Sequence, residues 1–97
     1  MQKEVYLGIL FDYYGDLLTT KQKIYFEDYY LNNLTLLEIS ENNKVSRNAV
    51  HKQIKDATEK IEKYEKVLKL YEKSGKINKI LEDINDESIK QRIKELI

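Results

Sequence analysis

Six polar side chains, all within residues 46–55, carry the main chemistry that this sequence offers. They are Ser46, Arg47, Asn48, His51, Lys52 and Lys55. Cationic side chains of this kind bind phosphates, and Arg47 can pair with guanine and Asn48 with adenine. No acid lies between Lys44 and Lys55, so the local field is positive. We predict a nucleic-acid-binding face, with Lys52 and Lys55 on the backbone; for His51 the alternative is a solvated surface position without contacts.

A capped helix precedes this segment. Thr35 and Glu38 have the spacing of a capping box, in which each side chain bonds to the other residue's backbone N–H. Leu34 before the cap and Ile39 inside the helix are placed to form a hydrophobic staple. The pattern predicts a third helix over residues 35–42.

The turn and the next helix complete a helix-turn-helix pattern. Val45 supplies an apolar plug, and Ser46 is placed as an N-cap. The apolar side of the new helix is predicted to hold Ala49, Val50 and Ile54, opposite the basic polar side chains. A capped helix, a turn with a buried aliphatic residue and a second capped helix are typical of helix-turn-helix domains. The alternative is a helical bundle with a similar turn.

The fourth helix shows no stop signal before Ser74 and Gly75, so we predict one helix over residues 47–73. It would be roughly 40 Å long at 1.5 Å per residue. Gly75 is predicted as its C-cap. Its apolar residues follow a heptad spacing that favours a homodimer: Val50, Ile54, Ala57, Ile61, Tyr64, Leu68 and Tyr71. Three Glu-before-Lys pairs are predicted on the outer face: Glu59–Lys63, Glu62–Lys66 and Glu65–Lys69.

Amphipathic helices are predicted on both sides of this region. The first covers residues 3–18, with two apolar stripes: Val5, Ile9, Tyr13, Leu17 and Tyr6, Leu10, Tyr14, Leu18. The second covers residues 20–31, opens with a Thr19–Gln22 capping box and ends at Asn32-Asn33. Its apolar bulk comes from Ile24, Phe26, Tyr29, Tyr30 and Leu31.

Two short helices follow Gly75, one around residues 77–84 and one around residues 89–97. They are too short to be stable alone, so they pack on the long helix or on a second subunit. We predict an all-α protein with a helix-turn-helix domain over residues 1–58 and a helical extension over residues 59–97.

The composition supports a non-enzymatic cytoplasmic protein. There is no Cys or Pro, there is one His, and the three Gly are isolated. These counts exclude disulfides, thiolate metal sites and Gly-rich phosphate loops, and we predict no catalytic residue, metal ligand or cofactor. No apolar run approaches the roughly 20 residues of a membrane span, and Met1-Gln2-Lys3-Glu4 does not begin a secretory signal.

The stretch from Leu17 to Glu65, LLTTKQKIYFEDYYLNNLTLLEISENNKVSRNAVHKQIKDATEKIEKYE, resembles the YlxM family of helix-turn-helix proteins, also called p13-like. The resemblance covers nearly the whole chain and is weakest after about Ser74. The same core is similar to the DNA-binding fourth region of bacterial sigma factors, and by that resemblance a recognition helix carries Arg47, Asn48, His51, Lys52 and Lys55. The turn position that usually holds Gly is Lys44 here, so we expect either a looser turn or a left-handed Asn43.

The resemblance implies a small cytoplasmic protein connected with the signal recognition particle pathway. The leading hypothesis is a regulatory protein of that pathway that binds DNA through the recognition helix. The alternative is an interaction module that binds the targeting GTPase, or its RNA-protein particle, and never contacts DNA.

Overall fold

The computed structural model describes all residues from Met1 to Ile97 and contains six α-helices and no strand. The helices are α1 (Lys3–Tyr14), α2 (Thr20–Phe26), α3 (Leu36–Asn43), α4 (Arg47–Leu68), α5 (Leu70–Leu81) and α6 (Glu87–Lys94). A 3₁₀ turn, Gly15–Leu17, follows α1, and a π-helical segment, Glu27–Leu31, continues α2. The predicted all-α class, with a long fourth helix and two short C-terminal helices, is confirmed.

The main core lies where α1 and α2 pack on the middle of α4. Its buried residues are Leu7, Leu10, Phe11, Tyr14, Leu18, Phe26, Ala57 and Ile61. The rings of Phe11 and Phe26 stack with their centroids 4.7 Å apart. The stripe through Leu10, Tyr14 and Leu18 is therefore buried as predicted. The predicted burial of the other stripe is wrong at its two ends, because 53% of Val5 is exposed and Leu17 is exposed as well.

A second, smaller cluster fixes the helix-turn-helix. Tyr25, Ile39, Val50 and Ile54 are buried together, and four partly buried residues pack around them: Tyr30, Leu34, Leu36 and Val45. Leu34 packs against the cluster that contains Ile39, as the predicted staple requires, and Val45 packs against it from the turn. The second helix contributes less to the core than the sequence predicts, because Ile24, Tyr29 and Leu31 are exposed.

The long helix ends earlier than the sequence suggests. It was predicted over residues 47–73, but α4 stops at Leu68 because Lys69 adopts the left-handed conformation, with φ 57° and ψ 33°. The next helix begins directly after this residue and passes through Gly75, whose φ is not positive. Gly75 is therefore an interior helix residue, and its prediction as a C-cap is wrong.

None of the three predicted Glu–Lys pairs on α4 forms; the ion pairs of the protein lie elsewhere. Glu65 is buried and hydrogen-bonded to Tyr14, and Lys69 has left the helix. The other two pairs would involve exposed side chains, for which ordering costs about as much as the weak attraction supplies.

The heptad seam packs largely within the chain. Its first four residues are buried against α1, α2 and α3: Val50, Ile54, Ala57 and Ile61. Tyr71, the last, lies against Tyr6 and Tyr13, with ring centroids 5.9 and 6.2 Å apart. Part of α5 is thus held against α1 of the same chain, whereas α6 has no buried residue. The predicted domain boundary at residue 58 falls inside α4.

Candidate nucleic-acid interface

The turn between α3 and α4 is tight although it lacks glycine. Lys44 itself adopts the left-handed conformation, with φ 55° and ψ 44°. The N–H of Val45 donates to the carbonyl of Ser40 at 3.1 Å, which is the closing bond of a Schellman motif. The side-chain amide of Asn43 donates to the carbonyl of Ile39 at 2.8 Å. The expectations of a looser turn or a left-handed Asn43 are therefore wrong.

Local capping orients both helices of the motif. The Thr35–Glu38 capping box is present, with bonds of 3.1 and 3.0 Å. At the start of α4, the hydroxyl oxygen of Ser46 accepts from the N–H of Ala49 at 3.0 Å. Ser46 is thus an N-cap whose hydroxyl proton is still available to a ligand. The positive end of the α4 helix dipole lies at this cap and is also exposed to solvent.

All six predicted binding residues are exposed on the first part of α4 or at its cap: Ser46, Arg47, Asn48, His51, Lys52 and Lys55. Arg47, His51 and Lys55 follow one another at intervals of four residues and so share a face. Val50 and Ile54 point into the core, as predicted. Ala49 does not; it is exposed beside the polar residues.

The basic side chains of this face have no partner within the protein. Lys44, Arg47, Lys52 and Lys55 take part in none of its three ion pairs, which join Lys23 to Asp16, Lys76 to Glu72 and Lys90 to Glu87. Their charges are therefore free to interact with an external anion.

The ion pair between Lys23 and Asp16 lies on exposed side chains away from this face. Its hydrogen bond lowers the pKa of Asp16 and raises the pKa of Lys23.

Two adjoining hollows line the face. The first, of about 520 Å³, is formed by Leu36, Ser46, Arg47, Asn48 and His51. The second, of about 420 Å³, is bounded by α1, the π-helical segment and α4; we call it the Tyr29 groove, and it contains Lys3, Tyr29, Tyr30, His51, Lys55 and Glu62. Leu36 and His51 line both.

Sequence reasoning did not find the Tyr29 groove. The sequence predicts Tyr29 and Tyr30 as apolar bulk of the second helix, and Lys3 as part of the first amphipathic helix. The groove combines residues that are far apart in sequence, so no local spacing reveals it. The one local signal is the pair of consecutive tyrosines, which a regular helix would direct to different sides of its axis.

The fold and this face together define a helix-turn-helix protein. The chain belongs to the family described as "Putative helix-turn-helix protein, YlxM / p13 like", whose model matches residues 1–97. The predicted resemblance to this family is thereby confirmed.

Relatives from several bacteria cover nearly the full chain. A UPF0122 protein of Oceanobacillus iheyensis is 40% identical, over 99% of this chain and 95% of its own length. Another from Fusobacterium nucleatum is 38% identical, over 96% of this chain and 90% of its own. A third from Listeria welshimeri is 37% identical, over 93% and 90%. No helix of the chain combines the length and the apolar character needed to cross a bilayer.

Proposed function

We propose that this protein is a non-enzymatic regulator that acts in the cytoplasm, in the signal recognition particle pathway, and binds nucleic acid through the first half of α4. The observation that carries the proposal is the free basic face: six polar side chains are exposed together, and its cations have no internal acidic partner. The helix-turn-helix family supports the regulatory class, and the link to protein targeting comes from the family resemblance.

The size of the face determines the kind of binding. Only Lys44, Arg47, Lys52 and Lys55 are available from residues 44–55, and the formal net charge of the chain is zero. Each neutralised phosphate contributes about −0.9 to the slope of log affinity against log salt for duplex DNA. A single chain should therefore bind weakly and with a strong salt dependence, and a homodimer would double the number of contacts.

The test is a fluorescence titration of duplex DNA of random sequence at two salt concentrations. The Arg47→Ala/Lys52→Ala variant removes two cations from the face and should lower the affinity and reduce the salt slope by about 2. Lys63→Ala/Lys66→Ala is the matched control, because it removes the same charge from exposed positions farther along α4. Undetectable binding of the wild type at low salt would contradict the DNA proposal.

An interaction module for the targeting GTPase, or for its RNA, is the second candidate. The feature that favours it is a pair of exposed apolar side chains on the second helix and its π-helical continuation, Ile24 and Leu31, which a DNA contact would not use. The same variants are titrated against the GTPase and against the particle RNA. If the Arg47→Ala/Lys52→Ala variant binds the GTPase as tightly as wild type, the GTPase contact lies outside the basic face.

A further inference from the structure

We infer that the Tyr29 groove binds one unpaired nucleobase of a nucleic-acid strand whose phosphates lie along the first half of α4. This inference rests on the proposed nucleic-acid binding and specifies part of its ligand. The groove has about 420 Å³, within the range of small-molecule sites. Paired bases inside a duplex cannot enter such a groove, so the ligand is a looped or single-stranded nucleotide.

The groove offers a fixed aromatic surface. Tyr29 is 37% exposed, and its ring meets that of Tyr30 edge to face, with centroids 4.9 Å apart. Tyr30 packs in turn on the fully buried ring of Phe26 at 4.7 Å. Tyr29 is thus anchored to the core through two aromatic contacts, while part of its side chain stays open to solvent. Aromatic side chains of this kind are the usual platforms on which unpaired bases stack.

Tyr29 and Tyr30 both belong to the π-helical segment, Glu27–Leu31. The N–H of Asn32 donates to the carbonyl of Glu27 at 2.9 Å, a bond that spans five residues instead of four. Both tyrosines of this segment line the groove. Such π turns occur frequently at functional sites.

The charges along α4 determine how a bound nucleotide is oriented in the groove. His51 and Lys55 stand at one end of the groove, and Glu59 and Glu62 follow on the same helix face, with Lys3 also among the lining residues. Phosphates are attracted to the first end and repelled from the second. Carboxylates accept hydrogen bonds from exocyclic amino groups of bases, as in cytosine recognition. The arrangement therefore favours a base that carries an amino group.

The groove is also continuous with the basic face. Leu36 and His51 line both the groove and the hollow that contains Arg47. Arg47 and His51 are four residues apart, which is about 6 Å along the helix. A strand whose phosphate contacts Arg47 can therefore place its next unpaired base in the groove without leaving the surface.

The test uses hairpins that carry 2-aminopurine, a base with an exocyclic amine whose fluorescence falls when it stacks. The probe is placed either in the loop or in the stem, in RNA and in DNA versions, and each is titrated with wild type, Tyr29→Ala, Tyr29→Phe and Leu37→Ala. Leu37 is an exposed apolar residue outside the groove and provides the matched control. Circular dichroism confirms that each variant is folded.

Wild type, Tyr29→Phe and Leu37→Ala should quench the loop probe more than the stem probe. Tyr29→Ala should lose this difference and bind the loop hairpin about 5- to 150-fold more weakly, the range for one stacked base. Replacing a loop cytosine by uracil should weaken wild-type binding, and Glu59→Gln/Glu62→Gln should reduce that preference. The RNA and DNA versions show which strand supplies the base.

If Tyr29→Ala binds the loop hairpin as tightly as wild type, or if loop and stem probes respond equally, the groove inference is wrong. The proposed function then still stands, provided that Arg47→Ala/Lys52→Ala weakens duplex binding. If neither duplex nor hairpin binds at low salt, both proposals fail. If the loop hairpin alone binds, and Tyr29→Ala abolishes that binding, duplex recognition fails and the groove site remains.

Discussion

The hydroxyl of Tyr14 donates a 2.7 Å hydrogen bond to the carboxylate of Glu65, joining α1 to the end of α4 across 51 positions of sequence. The same carboxylate accepts the N–H groups of Tyr71 at 3.1 Å and Glu72 at 3.2 Å. The tyrosine oxygen accepts the N–H of Leu70 at 3.0 Å. These two side chains therefore satisfy the free N–H groups at the start of α5, a role that an N-cap residue usually performs.

The break between α4 and α5 is thus stabilised from α1. Lys69, at the N-cap position of α5, makes no side-chain capping bond. Its left-handed backbone is unfavourable for a residue with a Cβ. The hydrogen bonds of Glu65 and Tyr14 offset that cost, because they exist only when the helix is interrupted at this residue.

We expect Tyr14→Phe to lower the free energy of unfolding by about 1–3 kcal/mol, because it leaves buried polar groups without a partner. The ring contacts, such as the one with Tyr64 at 5.9 Å, are retained. Urea denaturation measures the change. Tyr13→Phe is the control, since the half-buried Tyr13 hydroxyl makes no hydrogen bond within the protein. Equal effects of the two variants would contradict this role of the Tyr14 hydroxyl.

The stability should also depend on Tyr14 at alkaline pH. Burial, followed by the hydrogen bond to Glu65, raises the pKa of Tyr14 from 10.0 to about 12. Because the folded-state pKa exceeds the unfolded-state value, the contribution is fully present below pH 10 and is lost as the pH rises towards 12. Burial also raises the pKa values of Tyr6 and Tyr30, so the wild type alone does not isolate Tyr14.

The comparison with Tyr14→Phe removes that ambiguity, since Tyr6 and Tyr30 are common to both proteins. Urea denaturation at a series of pH values should show a steeper fall for wild type than for Tyr14→Phe above pH 10. Tyrosinate absorbance of the folded wild type should include one group that ionises late and is missing from the variant. If the stability of wild type and of Tyr14→Phe falls in parallel above pH 10, the pKa of Tyr14 is the same in the folded and the unfolded protein.

Glycine at position 69 should stabilise the protein. Lys69 has φ 57°, and glycine adopts this conformation without the steric cost that a side chain imposes. We expect Lys69→Gly to raise the free energy of unfolding by up to about 1 kcal/mol. This value is the relief of backbone strain reduced by the extra conformational entropy that glycine gives to the unfolded chain. Lys63→Gly, at an exposed position inside α4, should lower it by about 1 kcal/mol. Equal destabilisation by both would mean that α4 continues unbroken through residue 69.

The two glycines 15 and 75 should respond oppositely to alanine. A Cβ at Gly75 would meet no atom within 4 Å, so Gly75→Ala should stabilise α5 by about 1 kcal/mol. A Cβ at Gly15 would lie 2.9 Å from the ring of Phe11, which stacks on Phe26, so Gly15→Ala should destabilise. Thermal melts of the two variants provide the measurement. Destabilisation by Gly75→Ala would favour the C-cap role that the sequence predicted.

The features that the sequence predicted correctly are local ones. The two capping boxes, at Thr19 and Thr35, and the staple at Leu34 each depend on residues within one or two turns, and all are present. The exposure of Arg47 and its neighbours follows from helical periodicity alone. Once Val50 and Ile54 are buried, the polar side of α4 must face solvent.

The features that were missed depend on contacts between distant residues. Nothing in the sequence near Lys69 marks a helix end, because its causes, Tyr14 and the inward-facing Glu65, act from α1 and from the preceding turn. The face of α1 was ambiguous for a different reason. Apolar residues surround most of that helix, so spacing could not decide between Val5 and Leu7.

The arm formed by α5 and α6 leaves apolar surface without a partner in the chain. Its one buried hydrophobic residue is Leu81, whereas 63% of Ile80 and 84% of Leu96 are exposed. The radius of gyration is 16.8 Å, against about 12.5 Å for a compact domain of this length. Residues 70–97 carry six basic and six acidic side chains, so two arms can associate without net repulsion.

We therefore expect a homodimer that forms through the arm and not through the heptad seam, most of which is buried within the chain. Light scattering at high micromolar concentration should give twice the 11.6 kDa of one chain. Ile80→Glu should return the mass to that of a monomer, because it places a charge on the exposed apolar face of α5. Leu37→Glu, an equivalent change at an exposed position on α3, should leave the dimer intact. A wild-type protein that scatters as a monomer at this concentration would exclude the dimer. A dimer that persists in Ile80→Glu would place the interface away from this face of α5.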